Sequence, residues 1–386
     1  MDKVVIIMPS YNEAKNIKRM IGVLFDEEFP KIKSAEMHLL VVDDNSPDGT
    51  GEIVKKAMKK HKNLHLVTGE KQGLGMAYVR GMKYAMGKLN ASAVMEMDAD
   101  FQHPPRFVKP MVEAYLGGAE YVIGSRYIEG GSIPAEWQVH RKAVSFLGNL
   151  FIRLVLLKPS LHDLTTGFRL TKVKGVLDKI DLDNLMALDR FAYKVDLLYQ
   201  SVKSASKVEE VPLEFASRKE EKSKFSMKEM ISTFKVAIIL GIKDKSRFIK
   251  YGIVGFTGYL INAAGLEVFY RLGFSTGVAA AFGAELAIIS NFIFNNFWTF
   301  KDKKITTFGK VVNKFIQFNL SSVGAIVIQA IVVGVGTAFF GAETRQLMLI
   351  IAVGFFVIPY NYAMYNIFIW KTWKIQALAK LQEKLG

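Results

Sequence analysis

The chain has no cysteine among its 386 residues, which excludes disulfides, thiolate nucleophiles and thiolate metal sites. It lacks a Gly-x4-Gly-Lys-Ser/Thr phosphate loop, since the stretch from Gly81 to Lys88 has the wrong spacing and runs into Leu89. A dinucleotide fingerprint is missing too: Gly73-Leu74-Gly75-Met76-Ala77-Tyr78 places Tyr where the third glycine would stand. No secretory leader is read, because Met1-Asp2-Lys3 leads straight into Val4-Val5-Ile6-Ile7-Met8, too short for an h-region and better taken as a strand. Acids are scarce, 36 against 51 Lys plus Arg, for a formal charge of +15. From His140 to Lys174 there are seven Lys or Arg and a single acid, Asp163, among Leu, Phe and Val. Basic plus apolar suits an anionic membrane surface better than a duplex, so no nucleic-acid partner is expected.

What is present falls into two parts. The first 245 residues have the composition of a soluble α/β protein, whereas from Phe248 long apolar stretches recur with isolated charges. Four are long enough to cross a bilayer, near 248–270, 276–300, 313–340 and 346–370. The connection from Lys301 to Lys314 holds five lysines and the tail after Trp370 four, while the other two short connections carry one arginine each, Arg271 and Arg345. That bias places both termini and the N-terminal domain in the cytoplasm. The expected domains are 1–225, a juxtamembrane amphipathic helix at 226–245, a four-span region at 246–372 and a basic tail at 373–386.

Within the first part, Val4–Met8, Leu39–Val42, Leu64–Val67, Val94–Met97 and Tyr121–Ile123 are short apolar runs. Helical patterns at Ala14–Phe25, Thr50–His61 and Gly75–Met86 lie between them. Such alternation predicts a mostly parallel sheet with ligands beyond the carboxyl ends of its strands. There stand Pro9-Ser10-Tyr11-Asn12-Glu13, Asp43-Asp44-Asn45-Ser46-Pro47-Asp48-Gly49-Thr50, and Asp98-Ala99-Asp100. The second reads as a turn with Thr50 as helix cap, yet a turn alone does not need the tandem Asp43 and Asp44. In Asp98-Ala99-Asp100 the two carboxylates, one residue apart in an extended chain, point to one side. They form half of an oxygen-ligand site for a hard divalent ion, which phosphate oxygens and water can complete.

These motifs, with Gly73-Leu74-Gly75, His103-Pro104, Gly124-Ser125-Arg126-Tyr127 and Asp163-Leu164-Thr165-Thr166-Gly167-Phe168-Arg169-Leu170, together resemble family 2 glycosyltransferases of the GT-A fold. Order and spacing are similar to dolichyl-phosphate mannose synthases over roughly residues 3–225. The spans, with Asn291-Phe292-Ile293-Phe294-Asn295-Asn296-Phe297-Trp298-Thr299-Phe300, resemble a GtrA-like membrane domain. The resemblance implies a Rossmann-like GT-A domain followed by four transmembrane helices, and inverting transfer of mannose from GDP-mannose to dolichyl or polyprenyl phosphate. It implies a nucleotide-sugar site of Pro9, Tyr11, Glu13, Val42, Asp44, Asp98, Ala99, Asp100, Gln102 and Arg218. Asp98, Asp100 and Gln102 would hold Mg²⁺ or Mn²⁺. Arg218-Lys219-Glu220-Glu221-Lys222-Ser223-Lys224 departs from the family's Arg-x-x-Gly-x-Ser-Lys pattern by lacking the glycine, which bears on Arg218 and Lys224.

A polyprenyl phosphate is already an oxyanion and needs no general base; it needs positive charge to aim it, with Arg favoured for its planar fork. Arg126 and Arg141 are the leading candidates, with Ser145 one helical turn from Arg141 and Lys224 as a further lipid-phosphate contact; Asp100 and Arg126 form the catalytic set. Val139–Leu157 reads as a helix with an apolar stripe of Ala143, Leu147, Leu150, Phe151 and Leu154, and with Arg141, Ser145, Asn149 and Arg153 elsewhere. This suits a helix lying on a membrane or an amphipathic core helix. A second such segment, Met227 to Ile242, has Met227, Met230, Ile231, Phe234 and Ile238 on one side. Asp163 could orient Arg169 or a sugar hydroxyl, or cap the turn before Thr165. In the spans, Lys250 and Glu267 lie near ends, while Glu285 lies deeper and could pair with an Asn or guide a headgroup. A UDP-glucose donor and a lipid-linked sugar translocase are the alternatives. A processive polysaccharide synthase is disfavoured, because Gln138-Val139-His140-Arg141 is followed by Lys142 and not Trp.

Overall fold

The computed structural model describes residues 1–217 and 227–373. The chain divides into two compact units, Met1–Gly241 and Ile242–Gly386. Arg218, Lys224 and the tail beyond residue 373 lie outside the described residues.

The first unit is built on β1 (Asp2–Ser10), β2 (Ala35–Asp43), β3 (Leu64–Thr68), β4 (Ala93–Glu96), β5 (Tyr121–Ser125), β6 (Arg169–Lys172) and β7 (Val208–Pro212), in the order β3-β2-β1-β4-β6-β5-β7. Every pair is parallel except those of β6, which runs antiparallel between β4 and β5. Val4 to Met8 are fully buried, as expected of a central parallel strand covered on both faces. Their side chains alternate between two cores: Val4, Ile6 and Met8 pack with Ile17, Met20 and Met111, while Val5 and Ile7 pack with Tyr78, Met82 and Leu197.

The helices are α1 (Ala14–Gly22), α2 (Thr50–Met58), α3 (Leu74–Gly87), α4 (Val108–Leu116), α5 (Val139–Leu156) and α6 (Tyr193–Ser204). Five of the seven strands carry the expected apolar runs. Strands β6 and β7 escape the hydrophobic pattern because Arg169-Leu170-Thr171-Lys172 and Val208-Glu209-Glu210-Val211-Pro212 are short and charged. As the sheet's edge, β7 tolerates both its acids and the closing proline.

The second unit is helical, with α8 (Thr276–Phe294), α9 (Phe308–Phe340), α10 (Arg345–Ile351) and α11 (Ile358–Met364); α7 (Met227–Arg271) begins in the first unit and continues into it. Three helical runs among the described residues are long and apolar enough to cross a membrane: Met227–Arg271, Phe308–Phe340 and Ala352–Ile369. The stretch expected at 276–300 forms α8 and a π turn, Asn295–Thr299. Glu267 accepts from Arg271 Nε one turn on (2.5 Å), Lys250 Nζ sits 5.8 Å from the Trp298 ring, and Glu285 is exposed.

Candidate active site

Sheet register brings three of the polar motifs to one edge. Ser10 of β1 pairs with Asp43 of β2, Ile7 pairs with Glu96 of β4, and the Met97 and Asp44 N–H groups donate to the Ile7 and Ser10 carbonyls at 3.2 and 3.1 Å. Residues 9–13, 43–50 and 98–100 therefore leave the sheet together at its carboxyl end, where ligands bind in such folds.

The acids of the second motif divide their tasks. Asp43 is buried and accepts from the Ser46 N–H (3.2 Å) and hydroxyl, which shapes the turn. Neither Thr50 nor Asp48 is the N-cap of α2, which is Gly49 (φ 87°) without a side-chain cap bond; Asp48 shapes the turn, its Oδ1 accepting from the Thr50 N–H at 3.0 Å and its Oδ2 from the Ala14 N–H at 2.9 Å. Thr50 Oγ1 instead accepts from the Glu13 N–H (3.0 Å) and Ser46 Oγ from the Asn12 N–H (3.0 Å), so the first two motifs are stitched to each other. Asn12 holds the left-handed backbone this junction needs (φ 60°). Asp44 is paired with Arg80 at 2.9 Å, yet burial pushes its carboxyl above the usual range. Tyr11 lies under Lys71 Nζ at 3.4 Å. Val42 departs from expectation: its side chain is fully buried in the core against α3, so only its backbone can face a ligand. Pro9 is half-buried and Ala99 buried.

The acidic pair ends β4. Asp98 Oδ1 accepts from the Tyr78 hydroxyl at 2.8 Å, and Asp100 Oδ1 accepts from the Gln102 N–H at 3.0 Å. The Gln102 carbonyl is engaged by Ala216 N–H (3.0 Å), which fixes the loop while leaving the Gln102 amide out of that bond. His103 is buried and stacked on Phe168, and burial drives its imidazole down to about 4. Its Nδ1 accepts from the Asp98 N–H (3.2 Å), so the ring is neutral with its proton on Nε2, and its 3.9 Å approach to Asp98 Oδ2 is no ion pair. The donor set of Asp98, Asp100 and Gln102 is all oxygen, which suits a hard divalent ion. No group of three or more His, Asp or Glu among the described residues forms a metal cage by itself, so substrate oxygens would have to complete the shell.

The next cluster is built from Arg126 just past β5, the loop that carries Asp163 and Thr165 between α5 and β6, and residues of α5. Arg126 donates from Nε and Nη2 to Asp163 (2.6 and 2.8 Å) and from Nη2 to Thr165 Oγ1 (2.8 Å). Both side chains are buried, and the ordering corrects the sequence reading: Asp163 orients Arg126, while Arg169 donates to the Lys194 and Leu164 carbonyls. Burial pushes the Asp163 carboxyl up, but the Arg126 charge and the surrounding N–H donors outweigh it and hold it below the usual carboxylate range. Asp163 also accepts from the Thr165 and Thr166 N–H groups, so the turn role is filled too. Ser145 Oγ lies 2.6 Å from the Tyr127 hydroxyl, and Asn149 Nδ2 donates to Thr165 Oγ1 at 3.0 Å. Arg141 lies over the Trp137 ring at 3.9 Å.

Residues 5–178 match the family model described as glycosyl transferase family 2, and residues 250–370 match the GtrA/DPMS transmembrane domain. A dolichol-phosphate mannosyltransferase of Pyrococcus furiosus is 30% identical over 333 residues, 86% of this chain and 89% of that one. A polyprenol monophosphomannose synthase of Mycolicibacterium smegmatis is 34% identical, covering 64% of this chain and 90% of its own. An undecaprenyl-phosphate mannosyltransferase of Micrococcus luteus is 33% identical, covering 58% and 88%. The chain belongs to glycosyl transferase family 2. It is a membrane protein whose transferase domain precedes a GtrA/DPMS transmembrane domain.

Several residues of this family 2 transferase escaped the sequence reading, Arg80 on Asp44 and Tyr78 on Asp98 among them. Glu210 on β7 accepts from the His162 and Asp163 N–H groups (2.9 and 3.0 Å) and so places the loop that carries Asp163. Lys194 on α6 is fully buried with its Nζ 3.9 Å from Asp98 Oδ1. A signal for it existed: Phe191-Ala192-Tyr193-Lys194-Val195 sets a lysine inside an apolar run, where a helix buried all round would carry it into the core.

Proposed function

We propose that this transferase moves a mannosyl residue from GDP-mannose to dolichyl or another polyprenyl phosphate, with inversion, at the cytoplasmic face of a membrane it crosses four times. The observation that carries a lipid acceptor is the orientation of α5. Its polar residues Ser145 and Asn149 face the Arg126–Asp163 loop, while Leu147 and Leu154 stand 58% and 63% exposed on the other side. A helix whose apolar face points outward is stabilised by lipid, and the adjoining Met227 and Ile231 of α7 are exposed in the same manner. The donor sugar and the phosphate acceptor follow the mannosyltransferases that align with the chain.

In this reading Glu13, Asp44 and Tyr11 bind the nucleoside, with Pro9, Ala99 and the Val42 backbone beside them. Asp98, Asp100 and Gln102 would hold Mg²⁺ or Mn²⁺, which when bound neutralises charge on the leaving diphosphate. Arg141, Ser145 and Arg126 gather and orient the acceptor phosphate. An acceptor oxygen forms the new bond to the anomeric carbon as the bond from that carbon to the diphosphate breaks, and GDP departs. The acceptor is already anionic, so none of these residues must remove a proton. Attack opposite the leaving group turns an α-linked donor into a β-linked product.

The test is the full-length protein in detergent with labelled GDP-mannose, UDP-glucose and a short polyprenyl phosphate. Lipid-linked mannose should form and be lost in Asp100→Ala. Retained turnover in that variant would remove the metal assignment, and faster turnover of UDP-glucose would overturn the donor.

A further inference from the structure

Lys194 is the feature of the site that the reaction as described does not use. Its side chain is fully buried, and no hydrogen-bond partner for Nζ exists among the described residues. Lysine is almost never buried without a counter-charge, and an unbonded buried ammonium costs several kcal/mol. What surrounds this one is specific. Asp98 Oδ1 lies 3.9 Å away, and the Phe191 and Tyr78 rings lie 4.8 and 5.4 Å from the nitrogen. A Cβ added to Gly167 would lie 2.1 Å from Nζ, so the glycine of Thr166-Gly167-Phe168 is what leaves room for the ammonium. Gly167 has no left-handed backbone to require it; space for Lys194 is its reason.

The same Asp98 oxygen receives the Tyr78 hydroxyl, so one side of the carboxylate is engaged from behind by a donor and a cation. Glu96, two residues earlier, is buried and engaged by the Tyr193 hydroxyl at 3.1 Å; among the described residues the carboxylate that pairs with Nζ within 4 Å is Asp98. Asp98 is thus the principal counter-ion. A fixed positive charge this close to a metal-ligating carboxylate opposes a divalent cation on the same group.

We propose that Lys194 is a positioning residue: a built-in counter-ion that keeps the Asp98/Asp100 pair from retaining a divalent cation until a nucleoside diphosphate adds its own oxygens and charge. Metal and nucleotide then bind interdependently, each strengthening the other. This rests on the reading that Asp98 and Asp100 hold the metal.

The experiment titrates the full-length protein in detergent with Mn²⁺, following free Mn²⁺ by electron paramagnetic resonance, with and without GDP. Wild type should bind Mn²⁺ weakly alone and at least about tenfold more tightly with GDP, the factor expected for one unit charge acting on a divalent ion at this range in a wet site. Lys194→Met should tighten Mn²⁺ alone by about the same factor and shrink the effect of GDP, whereas Lys194→Arg should behave as wild type. A merely structural Lys194 would lower the melting temperature of Lys194→Met with Mn²⁺ affinity unchanged or weaker, and that result overturns the proposal. Should Lys194→Met not fold, Gly167→Ala, which displaces the ammonium, must move Mn²⁺ affinity in the same direction. Wild type alone also decides: equal Mn²⁺ affinity with and without GDP refutes the inference while leaving the metal site standing. Absence of Mn²⁺ binding even with GDP removes the metal site itself.

Discussion

Replacing Asp163 by Asn tests the cluster that holds Arg126. Asp163 is fully buried and takes two side-chain bonds from Arg126, with backbone donors from Arg126, Thr165 and Thr166 on the same carboxylate. Asn keeps the shape and one acceptor but removes the charge, leaving a buried guanidinium without its counter-ion. Breaking one partner of such a pair costs about 3–5 kcal/mol. For a unit of 241 residues, at about 2–4 °C per kcal/mol, the melting temperature should fall by about 6–20 °C. Arg126→Met should cost a similar amount, and the double variant clearly less than the sum, because the second change removes the charge the first one stranded. The assay is thermal unfolding of the four proteins in one detergent. The sign with pH is fixed as well. A carboxyl held below its ordinary value contributes stability that is present above about pH 4 and lost as pH falls through the folded value, so Asp163→Asn should flatten the acid limb. Additivity of the two single changes within about 0.5 kcal/mol would refute the reasoning, since uncoupled residues behave that way.

Other expectations are more local. His38 Nδ1 and His65 Nε2 lie 2.9 Å apart, and burial together with His38 holds His65 below the ordinary histidine value; stability should therefore be full above about pH 6.5 and decline below it, a decline His65→Gln should remove in a pH series of melts. Gly73 has φ +113° and its Cβ would lie 2.5 Å from the Asp189 backbone, so Gly73→Ala should cost at least about 1–3 kcal/mol and lower the melting temperature; an unshifted melt would show that the 188–189 segment yields freely. Leu147→Glu with Leu154→Glu, on the outward face of α5, should raise KM for a long polyprenyl phosphate in nanodiscs while sparing a short soluble analogue, and equal effects on both acceptors would argue against a lipid contact there. Glu210→Gln should loosen the 162–163 loop and lower activity through Arg126, read as a kcat loss restored in part by Glu210→Asp.

Legibility in the sequence follows the range of the interactions. Strand β1 and its neighbours are legible because burial on both faces forces unbroken apolar runs such as Val4–Met8, and the turn motifs because Asn, Asp and Gly have local backbone reasons to be there. The acidic pair is legible as a motif since its two members lie one residue apart, while its metal role belongs to the proposed function. Partners distant in sequence are not: Arg169 is nearer to Asp163 along the chain, yet the carboxylate belongs to Arg126, 37 residues away, because the antiparallel β6 turns Arg169 toward Lys194. Likewise α5 was readable as amphipathic but not in direction; only the fold shows that its polar side faces in.

In the proposed reading so acidic an edge must receive a diphosphate, and charge balance is what would allow it. Asp43, Asp44, Asp48, Glu13, Asp98 and Asp100 meet at the carboxyl ends of β1, β2 and β4, and unopposed they would repel the donor. The structure offsets most of them from behind. Asp43 and Asp48 accept backbone N–H groups, Asp44 is met by Arg80, and Asp98 by Tyr78 with Lys194 beyond it. Arg80 is fixed in place by its carboxylate, as Arg126 is by Asp163. The field a substrate meets is then set less by the sum of charges than by which carboxylates keep their partners, and in the proposed reading Asp98, with Lys194 Nζ at 3.9 Å and the Tyr78 hydroxyl at 2.8 Å, is the one a metal would have to draw away.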